Sequence, residues 1–249
     1  IQRFKLLSTR MRIYLFIVLN VIAVSQFCAQ TSFFKESDSL TMKRFIPVSV
    51  GIAGGWAGSM IGLHEVWYKN IEKSDFHTFD DGSNWLQMDK AGHVYTNYKI
   101  SLLTGDLFKW SGVRPKTAAL MGTGIGLGYQ TTLELFDAYS KDWGFSWYDV
   151  ASNTAGAGLY LGQELLWQEQ RFHLKFSYHP TVYADVRPAV LGSNFQERLL
   201  KDYNGQTYWF SFNPFLFKEN VRQHYYRKKP EAHKEYVEGA QTAQFFRGK

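Results

Sequence analysis

The sequence predicts a mainly α fold: an up-down-up-down four-helix bundle, membrane-embedded or membrane-associated, with a mixed C-terminal extension of short strands and turns. Three observations carry this. Four long apolar or glycine-rich segments are separated by turn signals at Asp80-Asp81-Gly82-Ser83, at Ser111-Gly112 before Pro115, and at Lys141-Asp142-Trp143-Gly144, and short connections make helices antiparallel neighbours. Polar groups inside these segments recur at spacings of three and four, the period of one helix face. The composition joins 17% aromatic residues to 21 glycines, a pairing that suits helices packed closely at a membrane interface.

The 249 residues suit one sizeable domain. Residues 1–30 read as a secretory signal, 31–44 as a flexible N-terminus, 45–170 as the helical domain, 171–213 as the extension and 214–249 as a basic tail. Lys5, Arg10 and Arg12 precede the apolar run Ile13 to Val24, and Ser25 to Gln30 form a cleavage zone. The run is short for a span, which favours a cleaved signal over an uncleaved anchor. Cys28 is the one cysteine, and bulky Phe27 stands where a lipid-attachment signal wants a small residue. Cleavage after Ala29 or Gln30 would leave no cysteine and no disulfide. The address is the bacterial cell envelope. The net charge is +6, but no basic patch interleaves with a binding motif, so no nucleic acid is expected as a partner.

The first helix, Phe45 to Leu63, has no charged residue and carries Gly51, Gly54, Gly55, Gly58 and Gly62. This small-residue stack lets helix backbones approach, and the segment is the best candidate membrane span. Trp67 and Tyr68 follow as interface aromatics. The second helix runs from Asp89 to about Trp110. The third runs from Pro115, placed in its first turn, to Phe136 or Asp137. The fourth runs from Trp147 to about Trp167. Gly122 to Gly128 lacks the strand-loop-helix context of a dinucleotide loop and reads as helix packing. Beyond it, Arg171 to Ser177 and Thr207 to Phe212 are strand-like, Gln196 to Lys201 suits one or two helical turns, and Asn204-Gly205 is a turn.

Candidate site residues come from three polar signatures. Asp89 and His93 are one helical turn apart, with Lys90 between them and Asn97 extending the face. Glu134 and Asp137 follow Gln130 at a helix C-terminus, where acids oppose the macrodipole and need a partner or a function. Ser146 and Asp149 fit a capping box, and Asn153 adds a polar group one turn on. Each alone has a structural explanation: a cap, a solvated lysine, a satisfied histidine. Connectivity shifts the balance, since short loops put all three at one end of a bundle.

The set Asp89-Lys90-x-x-His93, Glu134-x-x-Asp137, Ser146-x-x-Asp149-x-x-x-Asn153 followed by Gly156 resembles the VanZ-like membrane proteins. It looks closer still to the YfiM-type envelope proteins. The stretch Gly192-Ser193-Asn194 to Trp209 resembles the Bacteroidota branch of that family, and the likeness spans roughly Trp67 to Asn213. The resemblance implies the helical fold and an envelope setting, but brings no reaction with it.

Basic residues Lys43, Arg44, Lys109, Arg114, Lys116, Arg171 and Lys175 fall at the end opposite the signatures. With a cleaved signal this runs against the positive-inside preference, which favours the outer membrane over the inner. The mean hydropathy of −0.29 leaves partial embedding or a peripheral bundle open. Two functions remain. One is an accessory or binding role in envelope biogenesis, with a membrane lipid or envelope glycan as ligand and an envelope protein as a further partner. The alternative is a hydrolase or transferase acting on a lipid-linked or cell-wall substrate. There His93 would be the general acid or base, Asp89, Glu134 or Asp149 would orient it or bind a divalent cation, and Lys90 and Asn153 would hold an anionic group, with Asp137 and Ser146 beside them. No cofactor is evident. The enzyme reading requires the side-chain atoms of His93, Glu134 and Asp149 to converge within about hydrogen-bond or one-water reach.

Overall fold

The computed structural model describes residues 35–69, 71–212 and 214. The expected signal, Cys28 and nearly all of the basic tail lie outside the described residues. Helix α1, Met42–Leu63, continues into one π-helical turn, His64–Tyr68. A loop and a 3-10 turn, Asn84–Gln87, lead into α2, Met88–Trp110, followed by α3, Pro115–Ala138, and α4, Trp147–Trp167. Strand β1, Phe172–Tyr178, comes next. Three short helices follow: α5, Val182–Val186; α6, Pro188–Leu191; and α7, Phe195–Lys201. A 3-10 turn, Tyr203–Gly205, leads to β2, Gln206–Phe212. Helices α5 and α6 have no counterpart in the sequence reading.

Three helices form the core. Gln130 reaches the His93 carbonyl and Asn153, and Lys109 pairs with Glu164. So α2 and α4 run parallel to each other, with α3 antiparallel to both. Glycine sets how close they come. A Cβ at Gly122 would stand 2.5 Å from the Ser101 carbonyl oxygen, and one at Gly156 would collide with the Val94 carbonyl. The run Gly122 to Gly128 is therefore helical packing surface. Tyr98, Ala119 and Tyr160 are buried where the three helices meet, and Phe108 and Ala118 form a second cluster with Val48 of the first long helix.

Helix α1 is a flank of this core. It runs antiparallel to α2, with Phe45 against Phe108 (5.7 Å between centroids) and Trp56 against Tyr129 on α3 (5.9 Å). Only Val48 and Met60 are buried along it. Its glycine stack does not do what the spacing suggests: Gly51, Gly54, Gly55, Gly58 and Gly62 have nothing within 4 Å of a Cβ position. Among the described residues, Met42–Tyr68 is the one helix long and apolar enough to cross a membrane by length and composition. At its start, Thr41 N donates to the Ser111 carbonyl at 3.0 Å, and Arg44 donates to that of Trp110.

The two strands pair antiparallel, from Phe172 opposite Phe212 to Tyr178 opposite Gln206. Aromatic contacts of Phe176 and Tyr208 with Tyr95, and the Tyr98 hydroxyl donating to the Phe172 carbonyl, hold the ribbon to α2. That anchoring brings Tyr203 to the N-terminal end of α2.

Candidate functional site

The site is assembled where α2 begins, α3 ends and α4 begins. Lys90 is its electrostatic centre. Its ammonium lies 2.5 Å from Asp81 Oδ2, 2.9 Å from Asp89 Oδ2 and 2.7 Å from Asp149 Oδ1, and the side chain is 9% exposed. An ammonium so placed is stable because three carboxylates replace its water. Burial alone would lower the Lys90 pKa, but the bonds to Asp149, Asp81 and Asp89 outweigh it and hold it above the usual lysine value. With all its neighbours acidic, Lys90 does not present a free cation to an anionic ligand. The expectation that it holds an anion gives way to a role in fixing three carboxylates.

His93 lies on the next turn. Its Nδ1 is 3.1 Å from Asn153 Oδ1 and 3.6 Å from Glu134 Oε1; its Nε2 is 3.6 Å from Asp149 Oδ1 and 3.9 Å from Asp89 Oδ1. The structure thus brings His93, Glu134, Asp149 and Asp89 within hydrogen-bond or one-water reach. Glu134 is 1% exposed. Burial, reinforced by the charges of Asp149 and Asp137, pushes its pKa up to about 9, so at neutral pH it is a protonated acid. Asp149 is pushed up to about 6 by burial, with His93 opposing and Asp89 adding. Asp81 goes the other way. Its burial would raise it, but hydrogen bonds from Lys90 and Ser146 hold it below the ordinary aspartate value.

The remaining expected residues divide. Ser146 caps α4 as its spacing predicts, accepting from Asp149 N at 3.1 Å, and it also ties two elements to the site: its hydroxyl donates to Asp81 Oδ1 at 2.6 Å and its amide to Glu134 Oε2 at 3.3 Å. Asp137 sits at the rim, where Tyr68 donates to it at 2.8 Å; burial lifts its pKa to about 7 despite that bond. Asn97 is not in the site. It is fully buried against Gly126 in the α2–α3 interface and accepts from Ser101.

Four residues of the site escaped the sequence reading. Asp81 reads as part of a turn signal, yet it bonds Lys90 and Ser146. Tyr68 reads as an interface aromatic, yet the π turn swings it inward to Asp137. Tyr203 donates to Asp89 Oδ1 at 3.0 Å from far along the chain, where no local pattern marks it. Trp85 begins three consecutive left-handed non-glycine residues, Trp85, Leu86 and Gln87 (φ 52°, 50° and 66°), a strained arrangement of the kind found at functional sites.

These groups open on a cavity of about 830 Å³. Asp89, His93 and Asp149 form its floor, while Trp67, Trp85, Trp143 and Leu200 supply apolar wall. Asp89, His93 and Asp149 also each offer one metal-ligating atom, all within 4.8 Å of one another.

Residues 75–162 match the model of a family described as a predicted periplasmic lipoprotein (DUF2279). The matched span holds Asp89, His93 and Asp149, whereas Tyr68 and Tyr203 lie outside it. That description fits an exported cell-envelope location. No curated protein and no solved structure matches the chain.

Proposed function

We propose that this is a bacterial cell-envelope membrane protein that binds an amphiphile in an accessory role in envelope biogenesis. The observation that carries the reading is the division of one cavity into tryptophan and leucine walls and an acid–imidazole floor. Such a site takes an acyl or isoprenoid portion along the walls and a polar head on the floor. Since Lys90 is occupied by aspartates, the floor favours a neutral or cationic head, or one that arrives with its own cation. A membrane lipid or a lipid-linked envelope glycan has this chemistry, and a protein partner could deliver or receive it. Helix α1 we assign to the membrane, where lipid on its free face would complete the expected four-helix arrangement. The apolar groove of about 580 Å³ between it, α2 and α3 supports that assignment. The basic end opposite the cavity favours the outer membrane, the motif order favours kinship with the YfiM-type and, more distantly, the VanZ-like proteins, and the stretch Gly192 to Trp209 favours the Bacteroidota branch of the YfiM-type family.

The test is ligand recovery. The full chain is extracted from its own membranes, and bound amphiphiles are measured by mass spectrometry beside Trp85→Ala and Leu200→Asp. A stoichiometric amphiphile that is lost in both variants supports the reading; no enriched amphiphile, or one retained in both, removes it.

A second reading, hydrolysis or transfer on the same ligand, is favoured by one observation. His93 stands between two acids held in different protonation states, Glu134 up to about 9 and Asp149 near 6, the separation expected of acid–base partners. His93→Ala should then abolish the envelope phenotype at unchanged protein level while the amphiphile stays bound.

A further inference from the structure

Two hydrogen bonds decide which nitrogen of His93 carries a proton. Gln130 Nε2 contacts both the His93 backbone carbonyl at 3.3 Å and Asn153 Oδ1 at 2.9 Å. A carbonyl only accepts, so this end of Gln130 is the donor, and Asn153 turns its oxygen toward it. The same oxygen lies 3.1 Å from His93 Nδ1, which must therefore be the N–H. Glu134 Oε1, deeply buried and without a hydrogen-bond partner, stands behind that nitrogen at 3.6 Å. Nε2 is left facing Asp89 Oδ1 and Asp149 Oδ1, at 3.9 and 3.6 Å. A neutral imidazole in this tautomer aims a lone pair between two carboxylate oxygens, and a cation in the triangle removes the repulsion.

We infer that Asp89 Oδ1, His93 Nε2 and Asp149 Oδ1 are the protein ligands of a divalent transition-metal ion of the Zn²⁺ or Mn²⁺ type. Imidazole with carboxylates is a donor set for such ions, whereas Ca²⁺ and Mg²⁺ take oxygen alone. Ligand atoms 3.6–3.9 Å apart need little inward movement to meet an ion whose bonds are about 2.0–2.2 Å long. Asp89 and His93 sit one turn apart on α2, and Asp149 comes from the first turn of α4, so all three are fixed by helices. Asn153 and Glu134 on Nδ1 form the outer arrangement that orients a metal-binding histidine, and Tyr203 does the same for Asp89. Lys90 does not pre-empt the ion. It takes the other oxygen of Asp89 and lies 2.7 Å from Asp149 Oδ1, which keeps a further lone pair for the ion, and three carboxylates (Asp81, Asp89 and Asp149) surround its single ammonium, leaving a surplus of negative charge. All three ligands line the cavity, so the open coordination positions face whatever enters. The ion's contact with a head group rests on the amphiphile reading; its binding does not.

The test uses the full chain without a polyhistidine tag, stripped with chelator in detergent and titrated with Zn²⁺, Mn²⁺, Mg²⁺ and Ca²⁺ by calorimetry. Co²⁺ serves as a spectroscopic probe. One equivalent of Zn²⁺ or Mn²⁺ should bind, with Co²⁺ d–d bands. His93→Gln and Asp89→Asn should abolish this, while Glu134→Gln weakens it about 10–100-fold and His173→Gln leaves it unchanged. Asp89 is the less buried of the two acids, so its variant disturbs the fold less than Asp149→Asn. The inference is overturned by the absence of stoichiometric binding, by binding of Ca²⁺ or Mg²⁺ alone, or by Zn²⁺ binding that survives His93→Gln. If the amphiphile still co-purifies in that event, the pocket reading stands without the ion.

Discussion

Helix α1 and the α2–α4 core carry the same sequence signature and use it differently. Both are rich in glycine at small-residue spacing. In the core, Gly122 and Gly156 lie where another backbone passes, and any side chain there meets a carbonyl. In α1 the five glycines face open space. Small residues therefore establish that a helix can be approached closely, and say nothing of what approaches. The difference lies in the polar residues between the glycines. The core helices carry Asn97, Ser101, Gln130 and Asn153, buried groups that must find partners and so fix a register. Phe45 to Leu63 has no charge to place, and polar bonds tie the helix to the core only near its two ends, through Thr41 and Arg44 at one and Tyr68 at the other.

The largest effect should come from the charged end of the core. Lys90→Met leaves Asp81, Asp89 and Asp149 facing one another without their ammonium. Breaking a buried pair of this kind costs about 3–5 kcal/mol. Denaturant titration should show a loss of that size, or a chain that no longer folds. A loss under about 1 kcal/mol would mean that the core, like the middle of α1, is held by apolar contact alone. Next in size is the core's close approach. Gly156→Val drives a branched side chain into the Val94 carbonyl, and overpacking of this sort costs about 1–3 kcal/mol, read as a fall in melting temperature. A neutral result would show that α4 can slide away from α2.

How much of this was legible in advance follows the same division. The four helices, the two strands and the same-end placement of His93, Glu134 and Asp149 could be read because period, Pro115 and short turns are local signals. What stayed hidden depends on distance along the chain. Tyr203 reaches Asp89 only because the ribbon docks on α2. Asp81 enters the site because the loop folds back on Ser146. The peripheral place of α1 follows from which neighbours fill its face, and periodicity does not encode that.

A pH series tests the rim where α1's π turn meets the core. Tyr68 donates to Asp137, and burial holds that acid at about 7, above the ordinary aspartate value of about 3.9. The folded protein then binds more protons than the unfolded chain between roughly pH 4 and 7. Asp137 therefore contributes most below pH 4, its contribution falls as pH rises through 7, and it is flat beyond. Asp137→Asn should remove that slope and raise stability at pH 8 by on the order of 1–2 kcal/mol. The measurement is unfolding free energy against pH in both proteins. An unchanged slope would mean that the rim is open to water and that α1 does not cover Asp137.

The smallest effect is the most informative about α1. Gly54 lies in the helix interior with nothing within 4 Å of a Cβ position, so Gly54→Ala meets no clash. Alanine also removes backbone freedom from the unfolded chain, a gain of about 0.5–1 kcal/mol. In the detergent-purified protein, thermal unfolding should shift upward by a degree or a few. The same change at Gly122 must do the opposite, since its Cβ would lie 2.5 Å from a carbonyl oxygen. If Gly54→Ala destabilises the purified protein, a neighbour already occupies that face and the contrast between the two regions fails. If it stabilises the purified protein yet impairs function in the cell, the glycine face of α1 is kept bare for something it meets only in the envelope. The sign of one substitution, measured in two settings, thus separates a helix that merely flanks the core from one built to be approached.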